Sequence, residues 1–153
     1  MLNWQLKRFD ELDINSLYAL LKLRCDVCVV EQNCPYPDLD DLDQGSLHLL
    51  GWKDAELAAY LRIFVYDKAA NEVKIGRVVT SEAARGQGFG YELMRHGVEA
   101  AETHFSTYNI RISAQYHLRE FYQSFGFTIV SDVYQEDGIP HVALLKQAIS
   151  TEK

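Results

Sequence analysis

The stretch of residues 78–90, VVTSEAARGQGFG, decides the fold. An apolar run typical of a β-strand leads into Gly86, Gly88 and Gly90, and a helical pattern follows at once. Glycine allows the backbone angles of a tight turn, and the first N–H groups of a helix have no acceptor inside it. Because those groups and the helix dipole favour negative charge, the turn predicts a site for a phosphate or diphosphate group.

Two common phosphate-binding motifs do not match this turn. A P-loop ends in Gly-Lys-Ser/Thr, and no glycine of the turn precedes such a pair. A dinucleotide fingerprint needs its third glycine three places after the second, where Tyr91 stands. The pattern Arg85-x-x-Gly88-x-Gly90 at the start of a helix therefore remains, and the competing interpretation is a sharp connection that binds nothing.

Hydrophobic periodicity on both sides of the turn predicts a succession of strands and helices. Asp137-Gly138 between two apolar runs predicts a β-hairpin. The helix after the turn should bury one apolar face, made of Phe89, Leu93, Met94, Val98 and Ala101. The predicted elements are strands over residues 3–9, 47–52, 57–66, 73–80, 110–114, 127–134 and 141–146, and helices over residues 13–30, 88–105 and 118–125.

The first helix is predicted to begin after Asp13 as its N-cap. Its spacing predicts a buried stripe of Ile14, Leu17, Tyr18, Leu21, Cys25 and Cys28. The interval between Cys25 and Cys28 also occurs in metal and redox motifs, but no second cysteine pair follows. We therefore interpret these cysteines as small hydrophobic residues.

The composition is that of an ordinary globular protein. Of 153 residues, 15 are Lys or Arg and 22 are Asp or Glu, which gives a net charge of -7. This charge argues against broad nucleic-acid binding, and no apolar run is long enough to cross a membrane. An N-terminus without a signal pattern and an odd number of cysteines favour the cytoplasm.

Four further stretches complement the glycine turn. Residues 121–127, FYQSFGF, read as a helix that ends in Tyr and is followed by Gly-Phe. The other three are VVEQNCPY at 29–36, QYHL at 115–118 and EDGIPH at 136–141. Together with the order of elements over the whole chain, these residues resemble the GCN5-related N-acetyltransferase (GNAT) family, and more narrowly its ElaA-like bacterial branch.

The resemblance implies a single acetyltransferase domain over residues 1–153. Its fold would be α+β with α/β/α layers, a mixed and mostly antiparallel central sheet of six to seven strands flanked by helices. The acyl donor would be acetyl-CoA and the acceptor the primary amine of a small molecule, attacked directly in a ternary complex. The residues that the resemblance implies for cofactor binding are Val78, Val79, Thr80, Arg85, Gly86, Gln87, Gly88, Phe89, Gly90, Gln115 and Tyr122. Gln115 departs from many members of the family, which have Asn at this position.

Acyl transfer to an amine needs an acid for the departing thiolate and a route for the proton of the amine. Tyr122 matches the family's tyrosine, and a hydroxyl with an ordinary pKa of about 10 stays protonated at neutral pH. The alternative is a tyrosine of the core. The general base is left open among His48, His141, His117, Glu31 and a chain of waters, with the strand residues His48 and His141 preferred to His117. For each histidine a structural role competes with catalysis.

The acidic run Asp38, Asp40, Asp41 and Asp43 has two interpretations: a solvated loop, or an attractor of a cationic amine. It lacks the calcium-loop pattern, since its sixth and twelfth positions are Asp43 and Leu49, so no metal is predicted. A homodimer is left open, and neither nucleic acid nor a membrane is expected as a partner. The alternative function is a non-catalytic module that senses acyl-CoA.

Overall fold

The computed structural model describes residues 1–150. Backbone contacts group these residues into two compact units, each built from two segments of chain. The first unit comprises Met1–Phe64 and Arg77–Gly97, and the second comprises Val65–Gly76 and the chain from Val98 onward.

The elements follow the predicted succession closely. The strands are β1 (Asn3–Arg8), β2 (Leu47–Lys53), β3 (Glu56–Asp67), β4 (Glu72–Thr80), β5 (Asn109–Gln115), β6 (Thr128–Ile129), β7 (Tyr134–Glu136) and β8 (Ile139–Lys146). The helices are α1 (Ile14–Arg24), α2 (Phe89–His104) and α3 (Arg119–Gln123), and a π-helical segment, Cys25–Glu31, continues α1.

The strands form a mixed sheet in the order β1-β2-β3-β4-β5-β8-β6, with β7 paired to β8. β1 with β2, β2 with β3, and β8 with each of β5, β6 and β7 run antiparallel. β4 and β5 run parallel. The predicted fold class, a mostly antiparallel sheet flanked by helices, is confirmed, and the described sheet has eight strands.

The eighth strand arises because the predicted strand over residues 127–134 is divided. β6 covers two of its residues and β7 begins at Tyr134, and both pair with β8. Asp137 and Gly138 adopt positive φ angles of 51° and 77°, as a two-residue hairpin turn between β7 and β8 requires. The predicted hairpin is confirmed.

In the first unit, the buried face of α1 overlaps the predicted one only in part. Asp13 caps the helix as expected, since its Oδ1 accepts a hydrogen bond of 2.6 Å from the Ser16 N–H. Ile14 and Tyr18, however, are 86% and 72% exposed, and Cys25 is also exposed. The core cluster instead contains Leu20, Leu23 and Val27 of this helical stretch together with Leu50, Tyr60 and Val79.

The predicted stripe was wrong at Ile14, Tyr18 and Cys25, whereas Leu17, Leu21 and Cys28 are partly buried and pack against the core cluster. The fully buried face is displaced from the predicted one and includes a charged side chain. Arg24 is fully buried, and it lies one residue after Leu23 and three before Val27 on the buried face. Because arginine is usually exposed, the hydrophobic periodicity of the sequence predicts that the face containing Arg24 is exposed to solvent.

α2 agrees with its predicted face. Its five predicted core residues, Phe89, Leu93, Met94, Val98 and Ala101, are all buried. Gly97 faces Leu61 of β3 so closely that an added Cβ would lie 2.7 Å from a Leu61 methyl carbon. α2 can therefore approach β3 this closely only because residue 97 has no side chain.

Candidate functional site

The glycine turn lies between β4 and α2 and forms the candidate anion site. β4 ends at Thr80, a 3₁₀ turn covers Glu82–Ala84, and α2 begins at Phe89. Gly86 and Gly88 both have φ of +79°, a conformation that L side chains rarely adopt. The space beside the turn is open, since a Cβ at Gly86, Gly88 or Gly90 would meet no atom within 4 Å.

The start of α2 presents backbone donors to this space. The Glu92 N–H bonds to the Gly88 carbonyl at 3.3 Å, so the helical bonding begins immediately after the turn. The N–H groups of a first helical turn have no acceptor within the helix, and the helix dipole adds partial positive charge there. Phe89 is buried and anchors the helix start, whereas Gln87 is exposed and accepts a hydrogen bond of 3.4 Å from the Lys53 ammonium.

The guanidinium of Arg85 is held by two groups beside the turn. Its Nη1 donates to the carboxylate of Glu31, and its Nη2 donates to the Thr80 carbonyl at 3.1 Å. The Arg85 and Glu31 side chains are 40% and 37% exposed. The predicted anion-binding arginine thus already has an acidic partner within the chain.

The end of β4 has irregular backbone geometry. Arg77 has a φ of 52° although it is not glycine, and the parallel ladder between β4 and β5 ends three residues earlier at the pair Lys74–Arg111. Val79 is buried, while Val78 and Thr80 are half-buried. Such an interruption within a strand is typical of functional sites.

Two cavities flank Ser81, the first residue after β4. The first has a volume of about 400 Å³ and combines an apolar wall with carboxylates; its lining is Leu23, Asp26, Val27, Val30, Glu31, Ser81 and Glu82. The second, of about 370 Å³, is lined by the β2–β3 turn and by residues before Arg85, among them Lys53 and Ala84. Glu31 thus belongs both to the Arg85 ion pair and to the wall of the first cavity.

Tyr122 lies in α3 and is 7% exposed. Its ring packs edge-to-face against Phe121, with centroids 5.2 Å apart. Burial raises the pKa of Tyr122 to about 12. Its hydroxyl has no hydrogen-bond partner among residues 1–150, so this protonated group can donate to a bound molecule.

His48 is fully buried in β2 and both of its ring nitrogens are engaged. Nε2 lies 2.8 Å from the Asp43 carbonyl, which can only accept, so Nε2 carries the proton. Nδ1 lies 2.5 Å from the Tyr60 hydroxyl and is then the acceptor of that bond. Burial also lowers the pKa of His48. This arrangement makes His48 a neutral structural group.

His141 in β8 is nearly buried and lies opposite Gln115 in the β5–β8 ladder. Its Nδ1–H donates to the Ile139 carbonyl at 2.7 Å, and its Nε2 lies 3.3 Å from a carboxylate oxygen of Glu136. The ring stacks on Tyr134, whose hydroxyl bonds to Ser113. The His141 ring therefore lies beside the end of β5, where Gln115 is, and its Nε2 is next to the Glu136 carboxylate.

Sequence reasoning missed a buried charge network in the first unit. Arg24 donates from Nε to the Asp38 carboxylate at 3.0 Å and from Nη1 to the Asp43 carboxylate at 2.6 Å. A third bond of 2.9 Å joins its Nη2 to the Asp38 carbonyl. Burial opposes the ionisation of Asp43, but its hydrogen bonds and charge contacts with arginine prevail and keep its pKa below the ordinary value.

Two strand residues complete the Arg–Asp network, which comprises Arg24, Arg62, Arg77, Asp38, Asp40 and Asp43. Arg62 donates to Asp40 at 2.5 Å and to Asp43 at 2.9 Å, and Arg77 donates to Asp38 at 3.0 Å. The hydrogen bond from Arg62 lowers the pKa of Asp40 well below its ordinary range.

The acidic run is therefore largely a structural element and not a solvated loop. The sequence places one arginine of the network in each of three elements: Arg24 in α1, Arg62 in β3 and Arg77 in β4. A local sequence pattern cannot pair these arginines with aspartates that lie far away along the chain. Of its four aspartates, Asp41 is exposed and lies outside the network.

Two absences concern the described part of the chain. Within residues 1–150, no three His, Cys, Asp or Glu side chains lie together in a way that could hold a metal ion. No helix in the same range is long and apolar enough to cross a membrane.

Comparison with known proteins defines the class of this chain. Residues 29–147 match the family model described as "Acetyltransferase (GNAT) domain". The chain belongs to the GNAT acetyltransferase family. Its fold and the glycine turn at the start of α2 agree with this assignment.

Individual relatives place it more narrowly, within the branch that includes ElaA. The chain is 49% identical to "Protein ElaA" of Escherichia coli over 97% of its own length and 99% of that protein. The crystal structure of Escherichia coli ElaA superposes with a TM-score of 0.92, covering 96% of this chain and 100% of that one. A crystal structure described as an acyl-CoA N-acyltransferase from Pseudomonas aeruginosa is 44% identical, with a TM-score of 0.91 and coverage of 95% and 99%.

Proposed function

We propose that this protein is an acyl-CoA-dependent N-acyltransferase that transfers acetyl from acetyl-CoA to the primary amine of a small molecule. The observation that carries the proposal is the glycine turn: two glycines at positive φ, open space beside them and a helix start that presents N–H groups. The similar protein from Pseudomonas aeruginosa, described as an acyl-CoA N-acyltransferase, supports the same chemistry. We propose that residues 1–153 act as one domain, in the cytoplasm.

The residues present fit the cofactor that the family implies. Arg85 and the backbone of residues 86–90 would bind the diphosphate, because they offer a cation, glycine N–H groups and a helix N-terminus. The backbone of Val78, Val79 and Thr80 would bind the pantetheine arm and direct an N–H toward the developing oxyanion, and the left-handed Arg77 supports an opening of the strand there. Gln115 ends β5 and would supply a polar side chain to the cofactor.

Tyr122 is the proposed general acid. Its raised pKa, about 12, keeps the hydroxyl protonated, and no partner within residues 1–150 competes for that proton. When the thioester bond breaks, the Tyr122 O–H would donate to the thiolate of CoA. The thioester supplies the activated acyl group.

Among the candidate bases, the hydrogen bonds disfavour His48, and the cavity lining favours Glu31. His48 cannot easily accept a proton because its Nδ1 lone pair already receives the Tyr60 hydroxyl. Glu31 lines the first cavity, where a carboxylate could take the proton of an ammonium group. His141 remains the second candidate, since it lies opposite Gln115 at the end of β5 and its Nδ1–H is held by the Ile139 carbonyl.

A screen of amines tests the proposed function. Purified protein is mixed with acetyl-CoA and a panel of primary amines, and the release of free thiol is measured against time. We expect amine-dependent thiol release that Arg85→Gln weakens through a higher KM for acetyl-CoA. Calorimetric binding of acetyl-CoA without thiol release on any amine would favour a sensor of acyl-CoA. Absence of binding would overturn both functions.

A further inference from the structure

The ion pair between Arg85 and Glu31 joins the diphosphate turn to the first cavity. Arg85 precedes the two left-handed glycines, and Glu31 ends the π-helical segment that walls the cavity. One terminal nitrogen of Arg85 donates to Glu31 and the other to the Thr80 carbonyl. A diphosphate bound by the same guanidinium would bring its negative charge beside the Glu31 carboxylate, which it repels, whereas the Thr80 carbonyl is uncharged.

Glu31 is the partner that yields at little cost. Exposed ion pairs contribute little to stability, and this pair is more than a third exposed on both sides. A diphosphate carries more negative charge than one carboxylate and is also held by the N–H groups of the helix start. The exchange of Glu31 for diphosphate on Arg85 is therefore favourable.

Release of Glu31 changes the first cavity. Before the exchange, the Arg85 guanidinium compensates the Glu31 carboxylate. Afterwards the Glu31 carboxylate is unpaired at the wall of this cavity. The same cavity is also lined by Ser81 and by an apolar surface from Leu23, Val27 and Val30. An unpaired carboxylate next to apolar surface attracts an ammonium group on an apolar body.

We propose that Arg85 is a shared ligand for which Glu31 and the diphosphate of acyl-CoA compete, so that binding of the cofactor releases Glu31 to receive the acceptor amine in the cavity beside Ser81. This inference rests on the proposed function. It makes Glu31 an intramolecular competitor of the cofactor for the Arg85 guanidinium.

Calorimetric titration with CoA tests the exchange. CoA carries the diphosphate and has no acyl group to transfer, so its affinity reports on binding without turnover. We expect Glu31→Gln to bind CoA about two- to fivefold more tightly than the wild type, because the competitor for Arg85 is gone. Glu82→Gln is the matched control: it removes the same charge from the same cavity without touching the Arg85 guanidinium, and its affinity should change less.

A double-variant cycle assigns the effect to Arg85. In an Arg85→Gln background, Glu31→Gln should no longer tighten CoA binding. If the gain persists there, or if Glu82→Gln gives the same gain, the exchange is overturned while the proposed function stands. If the wild-type protein does not bind CoA at all, the proposed function itself fails.

A kinetic measurement separates this role from a merely structural one. With an amine from the screen, Glu31→Gln should lower the KM for acetyl-CoA and raise the KM for the amine. A structural defect would not improve either constant. Equal increases in both KM values would contradict the proposal.

Discussion

Arg24 is fully buried and owes its charge balance to two carboxylates on a loop, Asp38 and Asp43. A buried charge that loses its partner is strongly destabilising, because the remaining ion is then desolvated without compensation. Asp43 is shared by Arg24 and Arg62, so it is the carboxylate whose loss affects most of the network.

Asp43→Asn should lower the free energy of unfolding by about 3 kcal/mol, because two buried guanidinium groups lose negative charge. Asp41→Asn is the matched control: Asp41 is exposed, and asparagine tolerates its positive φ of 63°. The control should stay within about 0.5 kcal/mol of the wild type in urea denaturation. Equal losses in the two variants would show that the charge of Asp43 carries no special stability.

Tyr122→Phe should reduce kcat by about 100-fold or more, because the thiolate would leave without a proton donor. CoA affinity should change little, since the substitution removes only the hydroxyl and keeps the ring that packs against Phe121. Thiol release and calorimetry measure the two quantities. Tyr18→Phe, at a tyrosine that is 72% exposed on α1, should retain full turnover. Wild-type kcat in Tyr122→Phe would remove Tyr122 from the role.

α2 is the element whose sequence and structure agree best. Its buried face was predictable in full because its apolar residues repeat with helical spacing and its opposite face is charged. What the pattern could not show is the contact of Gly97 with Leu61, which depends on the distance between helix and strand and not on periodicity.

Gly97→Val should destabilise the protein by about 1–3 kcal/mol, because the new methyl groups would overlap the fully buried Leu61 side chain. Gly90→Ala in the same helix is the control, since a Cβ there meets no atom within 4 Å. Its stability should be unchanged or higher, as alanine favours a helix. Thermal unfolding compares both variants, and a melting temperature of Gly97→Val equal to that of the wild type would contradict this packing.

α1 shows where sequence patterns fail. Its N-cap at Asp13 was predictable because capping is local, but its buried face was not, since Arg24 points inward and is compensated by residues more than ten positions away. The division of the strand over residues 127–134 likewise depends on pairing with β8. For the site, motif spacing predicted the glycine turn, whereas the partner of Arg85 required the folded chain.

The protein as a whole should lose stability in two steps as the pH falls. Burial lowers the pKa of His48 below its ordinary value of 6.5, so the unfolded chain binds a proton before the folded one does. The contribution of neutral His48 is present above pH 6.5 and decreases as the pH falls toward its folded pKa. Asp40 and Asp43 have lowered pKa values, and their contribution is lost only below their ordinary value of 3.8.

Urea denaturation at a series of pH values measures the first step. The free energy of unfolding of the wild type should decline as the pH falls below 6.5 toward the folded-state pKa of His48. His48→Gln should be less stable at neutral pH and should show a smaller slope in this range. A slope that is identical in the variant would mean that other groups cause the decline.

The loop between the π-helical segment and β2 is held in place by ion pairs more than by hydrophobic contacts. Leu39 and Leu42 stay 65% and 42% exposed, while Asp38 and Asp43 are inside. Neutralising these carboxylates in strong acid would loosen that span first and leave the sheet still folded. An acid-active protease such as pepsin should accordingly nick the chain near Leu39 before it cuts any strand.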